Sequence, residues 1–160
     1  MNRKYCYDYP RPAVTTDCII YDIDDQKGFK ILLIKRNNDP YKDMWAFPGG
    51  FMEMDETAEE CAARELLEET GIKGVLLEQV MTVSEVDRDP RGRTISIVFT
   101  GRADSTSVSP LAGDDAEAIE WFEIGELPPL AFDHHEILQK WLKIIRGRPR
   151  RNDKRYCSAR

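Results

Sequence analysis

The sequence is poor in the features that mark membrane, secreted and zinc-binding proteins. Among its 160 residues, no apolar run approaches the roughly 20 needed to cross a bilayer. The opening MNRKYCYDYPRP contains no apolar segment of the kind found in a secretory signal. Four cysteines lie far apart with no C-x-x-C pair, which argues against a zinc site and a disulfide framework. These absences predict a protein of the reducing cytoplasm with no membrane partner.

Charge is unevenly distributed along the chain. The formal net charge is -6, but residues 146–160 hold seven basic residues and one acid, so residues 1–145 carry -12. Eight acids fall between positions 53 and 69, accompanied by one base, Arg64. Such crowding costs stability unless cations or solvent relieve it, and it argues against a nucleic-acid-binding domain. We predict one domain over 1–145 and a basic, mobile tail over 146–160.

The spacing of apolar residues predicts a mixed α/β fold. Two β-branched and aliphatic runs around a polar turn indicate a hairpin, and further runs of the same kind indicate later strands. A helical period follows residue 57 and returns after Asp133, which we expect to cap the final helix. The predicted strands are 13–21, 29–34, 75–83, 94–100 and 118–122, and the predicted final helix is 134–145. His134 and His135 are interpreted as the start of this helix rather than as catalytic groups.

The first predicted helix carries the most informative side chains. Thr57 and Glu60 form a T-x-x-E capping box, and Gly71 stands where a helix end is expected. The buried side of this helix is expected to consist of Ala62, Ala63, Leu66 and Leu67. On such a helix Glu65, Glu68 and Glu69 project from one face, because they are spaced at i, i+3 and i+4. Clustered carboxylates suit hard divalent cations such as Mg²⁺ or Mn²⁺. Taken alone, Glu68 and Glu69 favour a solvated helix face over a metal site.

The wider spacing around these acids is far more specific than the acids themselves. It follows the pattern G-x5-E-x7-R-E-U-x-E-E-x-G-U, in which U is a bulky aliphatic residue. In this pattern the sequence resembles the Nudix hydrolase family, without a departure at any specified position. The positions are Gly50, Glu56, Arg64, Glu65, Leu66, Glu68, Glu69, Gly71 and Ile72.

The resemblance implies both a fold and a chemistry. The fold is an α/β/α sandwich with a mixed sheet, in which the Nudix box forms a loop–helix–loop. Family members use Mg²⁺ or Mn²⁺ to hydrolyse a nucleoside diphosphate linked to another moiety. The implied metal ligands are the carboxylates of Glu65, Glu68 and Glu69 and the backbone carbonyl of Gly49. Arg64 is implied to hold the loop and helix together, and both Glu65 and a downstream acid are candidates for the general base.

Several segments outside the box are similar to ADP-ribose pyrophosphatases of this family. They are residues 10–14, the loop 87–93 with the strand after it, residues 113–116 and residues 130–138. The similarity implies hydrolysis of ADP-ribose to AMP and ribose 5-phosphate, by a homodimer. It also places Asp115, beside Asp114, as a further ligand or base, although both acids are equally consistent with a turn. Arg88, Arg91 and Arg93 are candidates for substrate binding in a loop that is also a good turn sequence.

Two alternatives to this activity remain open. The first is a Nudix hydrolase acting on another nucleotide, such as an ADP-sugar, a modified nucleoside triphosphate or a dinucleoside polyphosphate. The second is an ADP-ribose-sensing regulator, because transcription factors of NAD metabolism use a similar domain, usually with a degraded box. The intact box here favours the enzyme.

Overall fold

The computed structural model describes residues 7–24, 28–106 and 116–147. Asp114 and Asp115 lie outside these ranges, as does the predicted tail beyond residue 147. The described residues form strands β1 (Ala13–Asp24), β2 (Gly28–Arg36), β3 (Trp45–Ala46), β4 (Gly49–Phe51), β5 (Glu78–Val83), β6 (Thr94–Arg102) and β7 (Ala116–Glu123), with helices α1 (Ala58–Thr70) and α2 (His134–Gly147). In these ranges neither helix is long and apolar enough to span a membrane.

The strands form one mixed sheet that is organised around β1. Along one edge β1 pairs in parallel with β6, from Ala13 opposite Thr94 to Tyr21 opposite Arg102. Along the other edge it pairs antiparallel, first with β4 and then with β2. β2 pairs in turn with β7 and β3, and β6 pairs with β5. The predicted hairpin and the predicted mixed sheet are both confirmed.

Alternation along the strands sends successive side chains to opposite faces of the sheet, and a helix covers each face. Ile19, Ile31 and Leu33 pack with apolar residues of α2 in one core cluster. Cys18, Ile20 and Leu32 pack in a second cluster with Ala62 and Leu66 of α1. All six of these strand residues are fully buried. This arrangement is the predicted α/β/α sandwich.

Helix α1 begins and ends where the sequence indicated. The Thr57 hydroxyl accepts from the Glu60 N–H, the Glu60 carboxylate accepts from the Thr57 N–H, and Gly71 ends the helix with a left-handed φ of 70°. The expected burial of Ala63 and Leu67 is wrong, since both are exposed and Leu67 retains 45% of its accessible surface. They lie on the solvent side of the stripe formed by Ala62 and Leu66.

One other expectation needs correction. The strand expected from residue 75 begins only at Glu78, since Val75 and Leu77 pack into the core from an irregular segment. Helix α2 begins directly after Asp133, as expected, and the Asp133 carbonyl accepts the Ile137 N–H over 3.0 Å. The Asp133 carboxylate also accepts two hydrogen bonds from the Arg88 guanidinium, with lengths of 2.9 and 2.7 Å, and so joins distant segments of the chain.

Candidate active site

The loop before the box helix is held against strand β1. The Cys18 N–H donates to the Pro48 carbonyl over 2.8 Å, and Gly49 pairs with Asp17 in the β1–β4 register. A Cβ atom at Gly49 would collide with the backbone carbonyl of Thr16, so only glycine permits this close approach. The strand thereby sets the position of the loop from which Gly49 and Gly50 face the helix.

Two box carboxylates point back at this loop from α1. The Glu69 carboxylate accepts the Gly49 N–H over 2.8 Å. Its pKa is raised to about 8, because burial disfavours the charged form and the charges of Glu65 and Asp17 add to the effect. Burial also raises the pKa of Glu65, whose carboxylate lies where a Cβ of Gly50 would stand. The glycines thus leave room for carboxylates that repel one another.

Arg64 ties the box together through several bonds at once. Its guanidinium donates to both oxygens of Glu56 over 2.9 and 2.6 Å, to Glu65 over 2.8 Å and to Glu68 over 3.1 Å. It also donates to the Phe51 carbonyl over 3.2 Å. The bonds from Arg64 lower the pKa of Glu56 to about 2. The arginine joins helix to loop, as the resemblance implied, and it provides positive charge within the acidic cluster.

The donor set of the box fits a hard divalent cation in its chemistry. Glu65 and Glu69 bring carboxylate oxygens to the loop at Gly49 and Gly50, and a bound cation would favour their charged forms, which burial disfavours. Within residues 7–24, 28–106 and 116–147, however, no three His, Cys, Asp or Glu side chains converge as a ready-made metal cluster. Glu65 and Glu68 instead share the guanidinium of Arg64.

A cleft of roughly 500 Å³ opens beside Gly49 and Gly50. Its walls come from the loop around residues 46–51, from residues 88–91 and from the start of α2 at Phe132 and His134. Arg36, at the end of β2, also lines it. Distant segments of the chain therefore meet beside the box in an open, concave cleft.

The three arginines singled out from the sequence occupy different environments. Arg88 lines the cleft, but its side chain is 5% exposed and is held by Asp133. Arg91 also lines the cleft, anchored to the buried Asp89 by bonds as short as 2.7 Å. Arg93 is not among the lining residues and donates to the carbonyls of Glu85 and Thr94. Of the three, Arg91 is the best placed to meet a ligand.

Asp17 and His134 are cleft residues that sequence reasoning missed as part of the site. His134 accepts the Phe47 N–H on Nδ1 over 3.0 Å, and its Nε2 lies 3.5 Å from the Asp17 carboxylate. Burial lowers the pKa of His134, so the neutral ring is favoured and its proton falls on Nε2, facing Asp17. Asp17 also accepts from the Ser96 hydroxyl. The signal available in the sequence was Asp17 itself, an acid in the run TTDCII of a buried strand, because a buried acid requires partners.

The comparisons with known proteins agree with this geometry. A family model described as the NUDIX domain matches residues 11–142. The chain is 46% identical over 139 residues to the ADP-ribose pyrophosphatase of Methanocaldococcus jannaschii, covering 87% of this chain and 78% of that protein. It is 37% identical over 147 residues to the ADPR responsive transcriptional repressor NtrR of Acinetobacter baylyi, covering 89% of this chain and 58% of the repressor, which is less than two thirds of its length.

A solved structure gives the same result for the fold. The NUDIX domain of Shewanella oneidensis NrtR, complexed with ADP ribose, superposes with a TM-score of 0.79 at 27% identity, over 87% of this chain and 94% of that one. The family match, the similar proteins and the shared fold all agree with the intact Nudix box of this sequence. The chain therefore belongs to the Nudix hydrolase family and is an enzyme of that family.

Proposed function

We propose that this enzyme hydrolyses the diphosphate bond of ADP-ribose, producing AMP and ribose 5-phosphate with the help of Mg²⁺ or Mn²⁺. The observation that carries the proposal is the cleft, whose lining combines the box loop at Gly49 and Gly50 with Arg36 and Arg91. The negative charge of a nucleoside diphosphate would be attracted both by these arginines and by a cation held at the box. The similarity to the ADP-ribose pyrophosphatase of Methanocaldococcus jannaschii supports the choice of substrate.

The residues that would hold the cation are the carboxylates of Glu65, Glu68 and Glu69 and the carbonyl of Gly49. When bound, a divalent cation neutralises diphosphate charge and favours attack by water at phosphorus. The chain contributes the rest of the environment. Glu69 is held by the Gly49 N–H, and Arg64 fixes the helix against the loop through Glu56.

In the reaction, a water oxygen forms a bond to phosphorus and the bridging P–O bond breaks, leaving two phosphate monoesters. The proton of the water passes to a carboxylate acting as general base. Glu65 is one candidate, because its carboxylate stands against Gly50, which lines the cleft. Asp115 is the other, and we retain it from the sequence alone. Arg91, and with less access Arg88 and Arg93, would bind the substrate.

A substrate panel tests this proposal directly. Purified protein with Mg²⁺ is incubated with ADP-ribose, an ADP-sugar, a modified nucleoside triphosphate and a dinucleoside polyphosphate, and the rate of product release is compared. We expect ADP-ribose to be the fastest, with activity abolished by excess chelator and restored by Mg²⁺. Faster hydrolysis of the nucleoside triphosphate would refute the substrate, and full activity in chelator would refute the role of the cation. Glu65→Gln and Asp115→Asn then separate the two candidate bases.

A second candidate function is an ADP-ribose-responsive regulator. It is favoured by the similarity to the repressor of Acinetobacter baylyi and to the ADP-ribose-bound domain from Shewanella oneidensis. This function predicts that ADP-ribose binds without being hydrolysed and changes affinity for DNA. Calorimetry with ADP-ribose, coupled to AMP detection, distinguishes the two functions, and a gel-shift measured across salt concentrations tests for DNA binding.

Homodimerisation and a cytoplasmic location complete the proposal. The resemblance to dimeric family members supports the first, and the wide spacing of the cysteines supports the second. Light scattering coupled to size exclusion measures the mass in solution. A mass of 18.5 kDa would contradict the dimer, since that is the mass of one chain.

A further inference from the structure

Residues 47–49, in the loop before the box helix, are each held by a hydrogen bond to a different element of the fold. The anchors are, in order, His134 of α2 at 3.0 Å, Cys18 of β1 at 2.8 Å and Glu69 of α1 at 2.8 Å. Cys18 contributes only its backbone N–H. Glu69 is a proposed cation ligand, so a bound cation would draw on the same carboxylate. Of these three anchors, His134 is the side chain that holds the loop without being a proposed ligand.

His134 holds both the backbone and the ring of Phe47. Its Nδ1 accepts the Phe47 N–H, and the two rings stack with centroids 4.8 Å apart and planes 13° apart. Both residues are buried, and a buried N–H that loses its acceptor is costly. The His134 N–H in turn donates to the Ala131 carbonyl, and the Ala131 N–H donates to the Trp45 carbonyl over 2.7 Å. The start of α2 is therefore fixed against the strand that precedes the loop.

Asp17 determines which ring nitrogen of His134 carries the proton. Because Nδ1 accepts a hydrogen bond from the backbone, the proton of the neutral ring stands on Nε2, which lies 3.5 Å from the Asp17 carboxylate. That carboxylate is itself held by the Ser96 hydroxyl, and the Arg88 guanidinium lies 3.9 Å away. A fixed negative charge beside Nε2 disfavours the other tautomer, in which Nδ1 would carry the proton and face the Phe47 N–H.

A simple packing role for the buried His134 is the competing explanation. A phenylalanine ring could stack on Phe47 equally well, but it would supply no acceptor for the Phe47 N–H. Asp17 and His134 also line the cleft together with Gly49. Asp17 lies opposite Gly49 in the β1–β4 register, and His134 bonds to the chain two residues before it. The two polar side chains thus act on the loop at the residue whose carbonyl is a proposed ligand.

We propose that His134, oriented by Asp17, is a positioning residue that holds residues 47–49 in place, so that the Gly49 carbonyl and the Glu69 carboxylate are arranged before a cation binds. The inference rests on the proposed function and gives it two residues that were not expected from the sequence. Neither residue is required to touch the reacting atoms. Loss of the bond to Phe47 should release the loop and weaken cation binding, while leaving the box carboxylates themselves unchanged.

Two amide variants of His134 separate positioning from packing. Asn places its amide oxygen where Nδ1 stands and can still accept the Phe47 N–H, whereas the amide of Gln stands at the position of Nε2 and cannot. Both variants remove the ring that stacks on Phe47, so both should lower the melting temperature. His135→Asn, at the exposed neighbouring position on the same helix, is the matched control.

The test has two readouts that need no substrate. They are hydrogen exchange of the Phe47 amide in metal-free protein, measured by NMR, and the affinity for Mn²⁺ alone, measured by calorimetry. We expect His134→Gln to speed exchange and weaken Mn²⁺ binding by about tenfold each, as for a buried N–H left without an acceptor, and His134→Asn to stay within about threefold of wild type. His135→Asn should change neither quantity.

The orienting role of Asp17 is tested on the ring itself. The ¹⁵N shifts of His134 should show an unprotonated Nδ1 in the wild type and partial protonation of Nδ1 in Asp17→Asn, because the amide can present a donor to Nε2. This measurement also decides the matter if a His134 variant fails to fold, since a wild-type ring protonated on Nδ1 would overturn the proposal. An unchanged ring in Asp17→Asn would remove Asp17 from it.

Two results with the His134 variants would also overturn the proposal. One is equal Phe47 exchange in His134→Asn and His134→Gln, which is the result expected of packing alone. The other is faster exchange in His134→Gln with unchanged Mn²⁺ affinity, which would separate the loop from the cation site. Failure of the proposed function is distinguishable, because it appears as wild-type protein that does not hydrolyse ADP-ribose, whatever the exchange rates and Mn²⁺ affinities of the variants.

Discussion

Glu69 is expected to destabilise the folded protein in the absence of a cation. Its pKa is about 8 in the folded state against an ordinary value of 4.5, so the unfolded chain releases this proton at lower pH. The folded state is undisturbed by Glu69 below about pH 4.5, and stability is lost as pH rises from there towards 8. At pH 7 the difference between the folded and unfolded pKa values corresponds to a loss of about 3 kcal/mol in the free energy of unfolding.

Replacement of Glu69 by Gln removes this penalty while keeping the side-chain shape. The amide oxygen of Gln can still accept the Gly49 N–H that now bonds the carboxylate over 2.8 Å. We therefore expect Glu69→Gln to be more stable than wild type at pH 7 to 8 in chelator, with an advantage that shrinks towards pH 4.5. Its hydrolytic activity should fall by orders of magnitude, because a proposed cation ligand is lost.

The assay is urea unfolding of both proteins at pH 5, 6, 7 and 8 in excess chelator, followed by the same series with Mg²⁺. Glu59→Gln, an exposed position on the same helix, is the matched control and should change neither stability nor activity appreciably. Mg²⁺ should reduce the difference in unfolding free energy between wild type and Glu69→Gln. Equal stability at pH 8 without the cation, or a gap that does not depend on pH, would refute the assignment of a buried, repelled carboxylate.

Three further outcomes follow from the box geometry. Gly50→Ala should push the flexible Glu65 carboxylate aside, lowering kcat at least tenfold with little change in melting temperature, and unchanged kcat would contradict the close approach. Glu56→Gln should be as stable as wild type only in acid. The bonds from Arg64 lower the Glu56 pKa to about 2, so they stabilise the wild-type fold above pH 4.5 and are lost as pH falls to 2. Acid titration followed by circular dichroism measures this difference. Thr57→Ala should cost about 1 kcal/mol of unfolding free energy in urea, through loss of the capping box, while Thr57→Ser should cost much less.

Local features of the sequence were sufficient to locate the box helix. Thr57, Glu60 and Gly71 act within a few residues of themselves, so their spacing predicts the helix bounds without reference to the rest of the fold. The burial of Leu67 was predicted wrongly because a helix has more apolar residues than the sheet can cover. The spacing of apolar residues was equally local and predicted strands and a mixed α/β fold, whereas the mixed sheet between two helical layers was implied by the resemblance to the Nudix family.

The cleft was less predictable because its residues meet only through the tertiary fold. Arg88 was expected to bind substrate from a turn, but the structure pairs it with Asp133, 45 residues away. Arg36 carries no local motif, and it lines the cleft in contact with Phe132, which comes from a distant part of the chain. Partners of this kind follow from strand order, which the spacing of apolar residues does not specify.

The parallel pairing of β1 with β6 has a consequence for how this protein acquires its site. The two strands are about 80 residues apart in sequence, and the bonds from Ser96 to Asp17 and from Phe47 to His134 span 79 and 87 residues. Contacts at such separation form only after large loops close, which slows folding. Because helix α1 has its own start and stop signals, we expect its carboxylates to be aligned before the cleft that uses them is assembled. The Nudix box depends on residues close together in sequence, but the active site requires the complete tertiary fold.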